Sequence, residues 1–270
     1  LLNDVVSNPK QRETLLQFMR QKPPVQKSSF LKISGVSPSS VKTLINNGVL
    51  DQQSVIVDRL AVKTAPETPP QVLTDAQQKA LQSIRNDANE TNRILLHGVT
   101  ASGKTEVYIH LVQEMIDKGK QVLFLLPEIA LTTQIIKRLY VHFGKCMSVY
   151  HSRYTPSERA EVWNKVLQQH PSAQLIVGAR SAVLLPFSNI GLIIVDESHE
   201  VAYKQFESNP RYHARDVAVV LAGLHGAKIV MGSASPSIES TYNSHVGKYS
   251  IVEIKKRFKG FTMPKIDVID

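Results

Sequence analysis

The chain has 270 residues, 42% of them hydrophobic, with a formal charge of +9 and a pI near 9.5. That length can bury a sizeable core, and the basic balance is compatible with a polyanionic partner without requiring one. A single cysteine, Cys146, excludes an internal disulfide and any cysteine-based metal site. No apolar run nears the roughly 20 residues needed to cross a bilayer. Leu1-Leu2-Asn3-Asp4 lacks the basic start of a signal peptide, so a cytoplasmic protein is expected. The missing initiator Met suggests a segment of a longer chain.

Residues 1–62 read as a separate small module. Lys10 to Gln21 is helical by its spacing, with Leu15, Leu16, Phe18 and Met19 as its expected buried side. A second short helix covers Ser28 to Ile33. Ser37-Pro38-Ser39-Ser40 starts a third, because serine caps and proline suits the first turn. It runs through Val41, Leu44 and Ile45 and stops at Asn46-Asn47-Gly48. Val49 to Val57 then reads as a β-ribbon. Three helices and a ribbon match a winged-helix (α+β) module that docks on DNA or protein. A helical packing domain with no ligand fits this segment equally well.

Residues 63–72 form a proline-rich linker around Ala65-Pro66-Glu67-Thr68-Pro69-Pro70. From residue 73 to 270 strands and helices alternate. The strands are Ile94–His97, Gln121–Leu126, Met147–Tyr150, Gln174–Val177, Leu192–Val195 and Lys228–Met231. The helices are 75–87, 105–118, 129–143, 156–169 and 213–224. Such alternation predicts an α/β domain whose mainly parallel sheet carries helices on both faces, with its ligand at the carboxyl ends of the strands.

Gly98-Val-Thr-Ala-Ser-Gly103-Lys104-Thr105 has the form G-x-x-x-x-G-K-T and stands between a predicted strand and a predicted helix. In that setting successive N–H groups and the helix dipole converge on phosphate. Gly98, Thr100, Ser102, Gly103, Lys104, Thr105 and Glu106 are therefore the candidate nucleotide-binding set. Lys104 reaches the terminal phosphates and the Thr105 hydroxyl ligates Mg²⁺. The strand Leu192–Val195 ends in Asp196-Glu197-Ser198-His199. Asp196 is the candidate Mg²⁺ holder, and Glu197 the base that orients and deprotonates water. A base for water separates a hydrolase from a kinase or a simple binder.

The tetrad Asp-Glu-x-His narrows the reading to superfamily 2 helicases and translocases. The ordered segments Gly98–Tyr108, Leu126–Thr132, Gly178–Val183, Asp196–Glu200, Pro210–Asp216 and Gly232–Ser237 together resemble the bacterial replication-restart helicase family, PriA. Two positions depart from its pattern: Ala101 stands where glycine is usual and Ser198 where glutamate is usual. The resemblance implies a RecA-like P-loop lobe using ATP and Mg²⁺, with Lys104, Asp196, Glu197 and His199 as its catalytic set. It assigns Gln77, after Leu73-Thr74, to the adenine edge. It places Thr132, Arg180 and Ser181 along a single-strand path, and Ser233, Ala234 and Ser235 between nucleotide and DNA. His151 and Ser152 resemble a segment near that path.

Tyr203 to Arg215 interleaves Tyr203, Phe206, Tyr212 and His213 with Lys204, Arg211 and Arg215, a pattern that suits base stacking and phosphate contact. Trp163 is expected to pack in the core, and Lys255-Lys256-Arg257-x-Lys259 to touch phosphate or solvent. The resemblance further implies a monomer moving 3′→5′ on forked and single-stranded DNA, with primosome proteins and single-strand-binding protein as partners. It implies a second lobe and a zinc-holding cysteine-rich module outside this chain, so slow hydrolysis by this segment alone is expected. A double-stranded-DNA translocase and a scaffold with a vestigial ATPase are the competing readings.

Overall fold

The computed structural model describes residues 8–21, 25, 27–51, 68–87, 91–100, 102–128, 133–152, 154–207 and 209–255. The chain divides into two units, Leu1–Val57 and Asp58–Asp270.

In the N-terminal unit, helices α1 (Pro9–Met19), α2 (Lys27–Ser34) and α3 (Pro38–Asn46) follow one another. Ser37 caps α3 by accepting from Ser40 N–H, and Gly48 beyond its end takes φ +70°. The packed face of α1 carries Thr14, 1% exposed, and Phe18, whose ring meets Phe30 of α2 edge-on at 5.7 Å. Leu16 and Met19, expected inside, are 42% and 64% exposed. At about 100° per residue, Leu16 points roughly 200° away from Thr14. The expected ribbon Val49–Val57 lies outside the described residues from 52 onward, as do Ala65–Glu67 of the linker.

In the larger unit, strands with near-continuous apolar runs demand cover on both faces. Among the described residues seven strands form one all-parallel sheet of order β3-β4-β2-β5-β6-β1-β7. They are β1 (Arg93–Gly98), β2 (Gln121–Leu125), β3 (Met147–Tyr150), β4 (Leu175–Gly178), β5 (Ile190–Val195), β6 (Lys228–Ser233) and β7 (Ser250–Ile254). Alternate residues feed opposite cores. Leu96, Phe124, Ile194 and Val230 join one, and Leu95, Leu123, Ile193 and Met231 join the other.

Helices α4 (Asp75–Arg85), α5 (Lys104–Asp117) and α6 (Thr133–Phe143) supply residues to the first core. Helices α7 (Pro156–Leu167) and α8 (Ala214–His225) supply the second. Trp163 is 43% exposed rather than packed, because α7 buries Val162 and Val166 and turns the indole about 100° off that face. Helix α9 (Ile238–His245) and strand β7 have no counterpart among the predicted elements.

The order β5-β6-β1 fixes the place of the candidate site. Three neighbouring parallel strands deliver the loops after Val195, Ser233 and Gly98 to one edge of the sheet.

Candidate nucleotide and nucleic-acid site

Helix α5 starts at Lys104 from an N-cap Gly103 at φ +80°. A Cβ at 103 would also lie 2.2 Å from Gln77 Nε2, so backbone conformation and space both select glycine. Lys104 is 8% exposed; its ammonium donates to Gly98 O at 2.9 Å and lies 3.9 Å from Glu197 Oε1. Ser102 Oγ is buried with no hydrogen-bond partner among the described residues. An unmet buried hydroxyl costs about 1–3 kcal/mol, and a phosphate oxygen is the acceptor that the surrounding N–H groups would also draw. Ala101 lies outside the described residues.

Across the sheet edge, Asp196 follows β5 and is partly buried. Burial, then the neighbouring Glu197 carboxylate, raises its carboxyl to about 6, against the pull of the Lys104 ammonium and the Tyr108 hydroxyl. Glu197 takes φ +46°, a left-handed conformation that costs a non-glycine residue about 1–2 kcal/mol. The turn is fastened by Ser198 N–H, which donates to Gly232 O at 2.8 Å. Ser198 itself is 2% exposed. Ser233 Oγ hydrogen-bonds His199 Nδ1 at 2.8 Å and accepts from Ser235 N–H at 3.0 Å, while His199 lies 3.7 Å from Glu197. Lys104, Asp196, Glu197, His199 and Ser233 are thus brought together from three loops.

Other candidates are placed differently. Gln77 is 1% exposed and faces inward: its Oε1 accepts from Thr74 N–H at 2.9 Å, and its Nε2 donates to Gly103 O at 3.3 Å. Its amide braces the P-loop and closes a capping box on α4, instead of presenting an edge to a base. Glu106, in the first turn of α5, is 6% exposed and paired with Arg138 of α6. Thr105 is the second residue of α5, and Thr100 is exposed in the loop.

The segment Tyr203–Arg215 closes on itself through an antiparallel bridge between Lys204 and His213, with Gln205 N–H donating to Tyr212 O at 2.8 Å. Phe206 is 52% exposed at the loop, with the Lys204 ammonium 4.9 Å from its ring centre, and Arg211 of the same segment is exposed. Tyr212 is partly buried, and Arg215 pairs with Asp216 at 2.9 Å. Arg180 donates to Lys204 O at 2.9 Å, and Ser181 follows it in a 3₁₀ turn at 180–184.

Tyr203 corrects the expectation of base stacking. It is 0% exposed, and its hydroxyl donates to Asp196 O at 2.6 Å and lies 3.1 Å from Leu125 O. Aromatic spacing alone cannot tell a stacking ring from a core ring. Thr132, and the run beyond Lys255, lie outside the described residues.

Two residues that sequence reasoning gave no site role matter here. Tyr108, 0% exposed, donates to Asp196 Oδ1 at 3.1 Å. Gly232 leaves the room for it, since a Cβ there would fall 1.7 Å from the Tyr108 oxygen. A tyrosine among the buried positions of α5 was the available signal, because a buried phenol hydroxyl needs a partner.

The family model for "DEAD/DEAH box helicase" matches residues 74–243. "Replication restart protein PriA" of Bacillus subtilis (strain 168) is 38% identical over 266 residues, covering 96% of this chain and 33% of the relative. The protein of that name from Chlamydia pneumoniae is 36% identical over 273 residues, covering 98% and 36%. The Rickettsia felis protein is 42% identical over 194 residues, covering 72% and 29%. The chain therefore spans about a third of the length of the curated relatives it matches. Among solved structures, the DUF1998 helicase MrfA bound to DNA superimposes with a TM-score of 0.50 at 20% identity, covering 68% of this chain and 27% of that one. This likeness bears on the fold alone and agrees with a RecA-like lobe. With a P-loop and an Asp-Glu-x-His turn on one sheet edge inside the matched span, the chain belongs to the DEAD/DEAH box helicase family, as a PriA-like segment of superfamily 2.

Proposed function

We propose that residues 73–270 are the ATP-binding first lobe of an ATP-dependent DNA helicase that moves 3′→5′ and acts in replication restart at forked DNA. The observation that carries this is the approach of the Lys104 ammonium to 3.9 Å from Glu197, with Asp196 alongside. A cation that holds phosphate and a carboxylate that activates water must share one nucleotide, and here they share one sheet edge.

The residues present suit ATP and Mg²⁺. Ser102 Oγ offers an unused buried donor, and Asp196 and Thr105 supply the hard oxygens that a mostly hydrated Mg²⁺ takes from protein. When bound, the ion neutralises charge on the phosphate oxygens. Lys104 holds the terminal phosphates, and Glu197 orients the attacking water and accepts its proton. His199 Nδ1 hydrogen-bonds Ser233 and lies 3.7 Å from that carboxylate, so the segment 233–237 borders the hydrolytic site. Gln77 keeps the P-loop carbonyls in place.

Arg180, Ser181, Lys204, Phe206, Arg211, Tyr212 and Arg215, with Thr132, form the DNA side of this reading. The exposed Phe206 stacks on bases while the cations hold phosphate, without reading sequence. The three-helix unit serves as a winged-helix docking module. Primosome proteins and single-strand-binding protein are the partners, and the protein works as a cytoplasmic monomer.

The test is ATP hydrolysis by the intact protein with and without forked DNA, alongside unwinding of the fork. Lys104→Ala and Glu197→Gln are expected to abolish both. Fork-stimulated hydrolysis without strand separation would favour a double-stranded-DNA translocase. Hydrolysis unchanged in Glu197→Gln would remove the base assignment.

A further inference from the structure

Asp196 is gripped at two points by buried phenols. Tyr203 donates to its main-chain carbonyl, and Tyr108, four residues beyond Lys104 on α5, donates to Oδ1 at 3.1 Å. The Tyr108 ring meets Phe124 of β2 edge-on, with centres 5.6 Å apart and planes at 84°. On its far side the hydroxyl fills the space that a Cβ of residue 232 would take. Glycine inside a strand is a destabilising choice, so this close approach of Tyr108 to the strand comes at some cost in strand stability. The same Cβ would also stand 3.0 Å from the ring carbon that bears the hydroxyl and 3.2 Å from Asp196 Oδ1, so the glycine makes room for the ring edge and the carboxylate as well as for the hydroxyl.

We infer that Tyr108 is a positioning residue for the metal of the bound nucleotide: its hydroxyl fixes the orientation of the Asp196 carboxylate relative to the P-loop. This rests on the reading of Asp196 as a Mg²⁺ holder. A phenol hydroxyl has a single proton, and here it goes to one carboxylate oxygen, which restrains rotation about the Cβ–Cγ bond. Because Tyr108 rides on the P-loop helix, the restraint ties the carboxylate to the element that holds the phosphates. A metal ligand set free to rotate loses affinity; partners that orient ligands are typically worth about 10–100-fold. Tyr203, bonded to the main chain, holds the turn rather than the carboxylate, which besides Tyr108 takes a hydrogen bond from the Glu197 backbone.

The experiment measures Mn²⁺ binding to the ADP complex of the intact protein by electron paramagnetic resonance, in the parent, Tyr108→Phe and Asp196→Asn. Tyr108→Phe is expected to weaken Mn²⁺ about tenfold, with metal-free ADP affinity unchanged and circular dichroism native. Its ATP hydrolysis should recover as Mg²⁺ is raised, which a general loss of structure would not allow. Parent-like Mn²⁺ affinity in folded Tyr108→Phe, with Asp196→Asn clearly weakened, overturns the positioning role while leaving the site intact. Parent-like affinity in Asp196→Asn removes the metal assignment itself, and the inference with it.

Discussion

Replacing Tyr203 by phenylalanine separates a core residue from a DNA-stacking one, because the ring stays and only the hydroxyl leaves. In the structure that hydroxyl donates to Asp196 O at 2.6 Å and lies 3.1 Å from Leu125 O. Leu125 O keeps its donor, Asp196 N–H at 3.0 Å, so the carbonyl of Asp196 bears the loss. A buried acceptor deprived of its donor costs about 1–3 kcal/mol. For a unit the size of Asp58–Asp270, each kcal/mol moves Tm by roughly 2–4 °C. Tyr203→Phe should therefore lower Tm by about 4–8 °C in calorimetry, taking about 2 kcal/mol as the loss. Single-strand affinity, measured by fluorescence anisotropy, should hold. Phe206→Ala should do the reverse, leaving Tm nearly unchanged and weakening single-strand binding by about 1–3 kcal/mol. An unchanged Tm in Tyr203→Phe, with lost DNA binding in Tyr203→Ala at full stability, would refute the burial argument.

Gln77→Ala should weaken ATP and GTP alike, by about tenfold for one lost brace hydrogen bond of roughly 1–1.5 kcal/mol; a loss confined to ATP in nucleotide titrations would restore the adenine-reading role. In the metal-free protein, the Asp196 carboxyl keeps its proton up to about 6, against 3.8 ordinarily. The native state thus binds more protons than the unfolded state between those values, and stability falls as pH rises through that window. Asp196→Asn, measured in EDTA by urea unfolding, should match the parent near pH 4. At pH 8 it should exceed the parent by up to about 3 kcal/mol, and a pH-independent difference would contradict this. Arg138→Ala strands the buried Glu106 carboxylate, whose Oε2 already lacks a hydrogen bond among the described residues. It should cost about 1–2 kcal/mol, and more than Glu106→Gln in the same unfolding assay.

The P-loop and the acidic turn were legible because their constraints are local. Gly103 must adopt a left-handed backbone at the start of a helix, and Asp196 must follow a buried strand. Strands β1 to β6 and their helices could be placed because continuous apolar runs of strand length, punctuated by periodic helices, leave few alternatives to a parallel sheet. Strand β7 was missed although Ser250, Val252 and Ile254 alternate inward, since an edge strand needs only one neighbour and carries a weak signal. Helix α9 was missed because its start lies in the Ser233–Ser237 segment and its body is mostly polar.

Residue types and their spacing determined which chemistry this protein carries: a lysine and a threonine after glycine-rich backbone, and two carboxylates after an apolar strand. The strand order β5-β6-β1 decided that these groups, far apart in the chain, stand at one site. Burial decided that Tyr203 serves the core, that Gln77 turns toward the P-loop, and that Tyr108 reaches Asp196. Periodicity reports which residues share a face of one element, whereas partnership across elements depends on distances that exist only after the sheet has assembled.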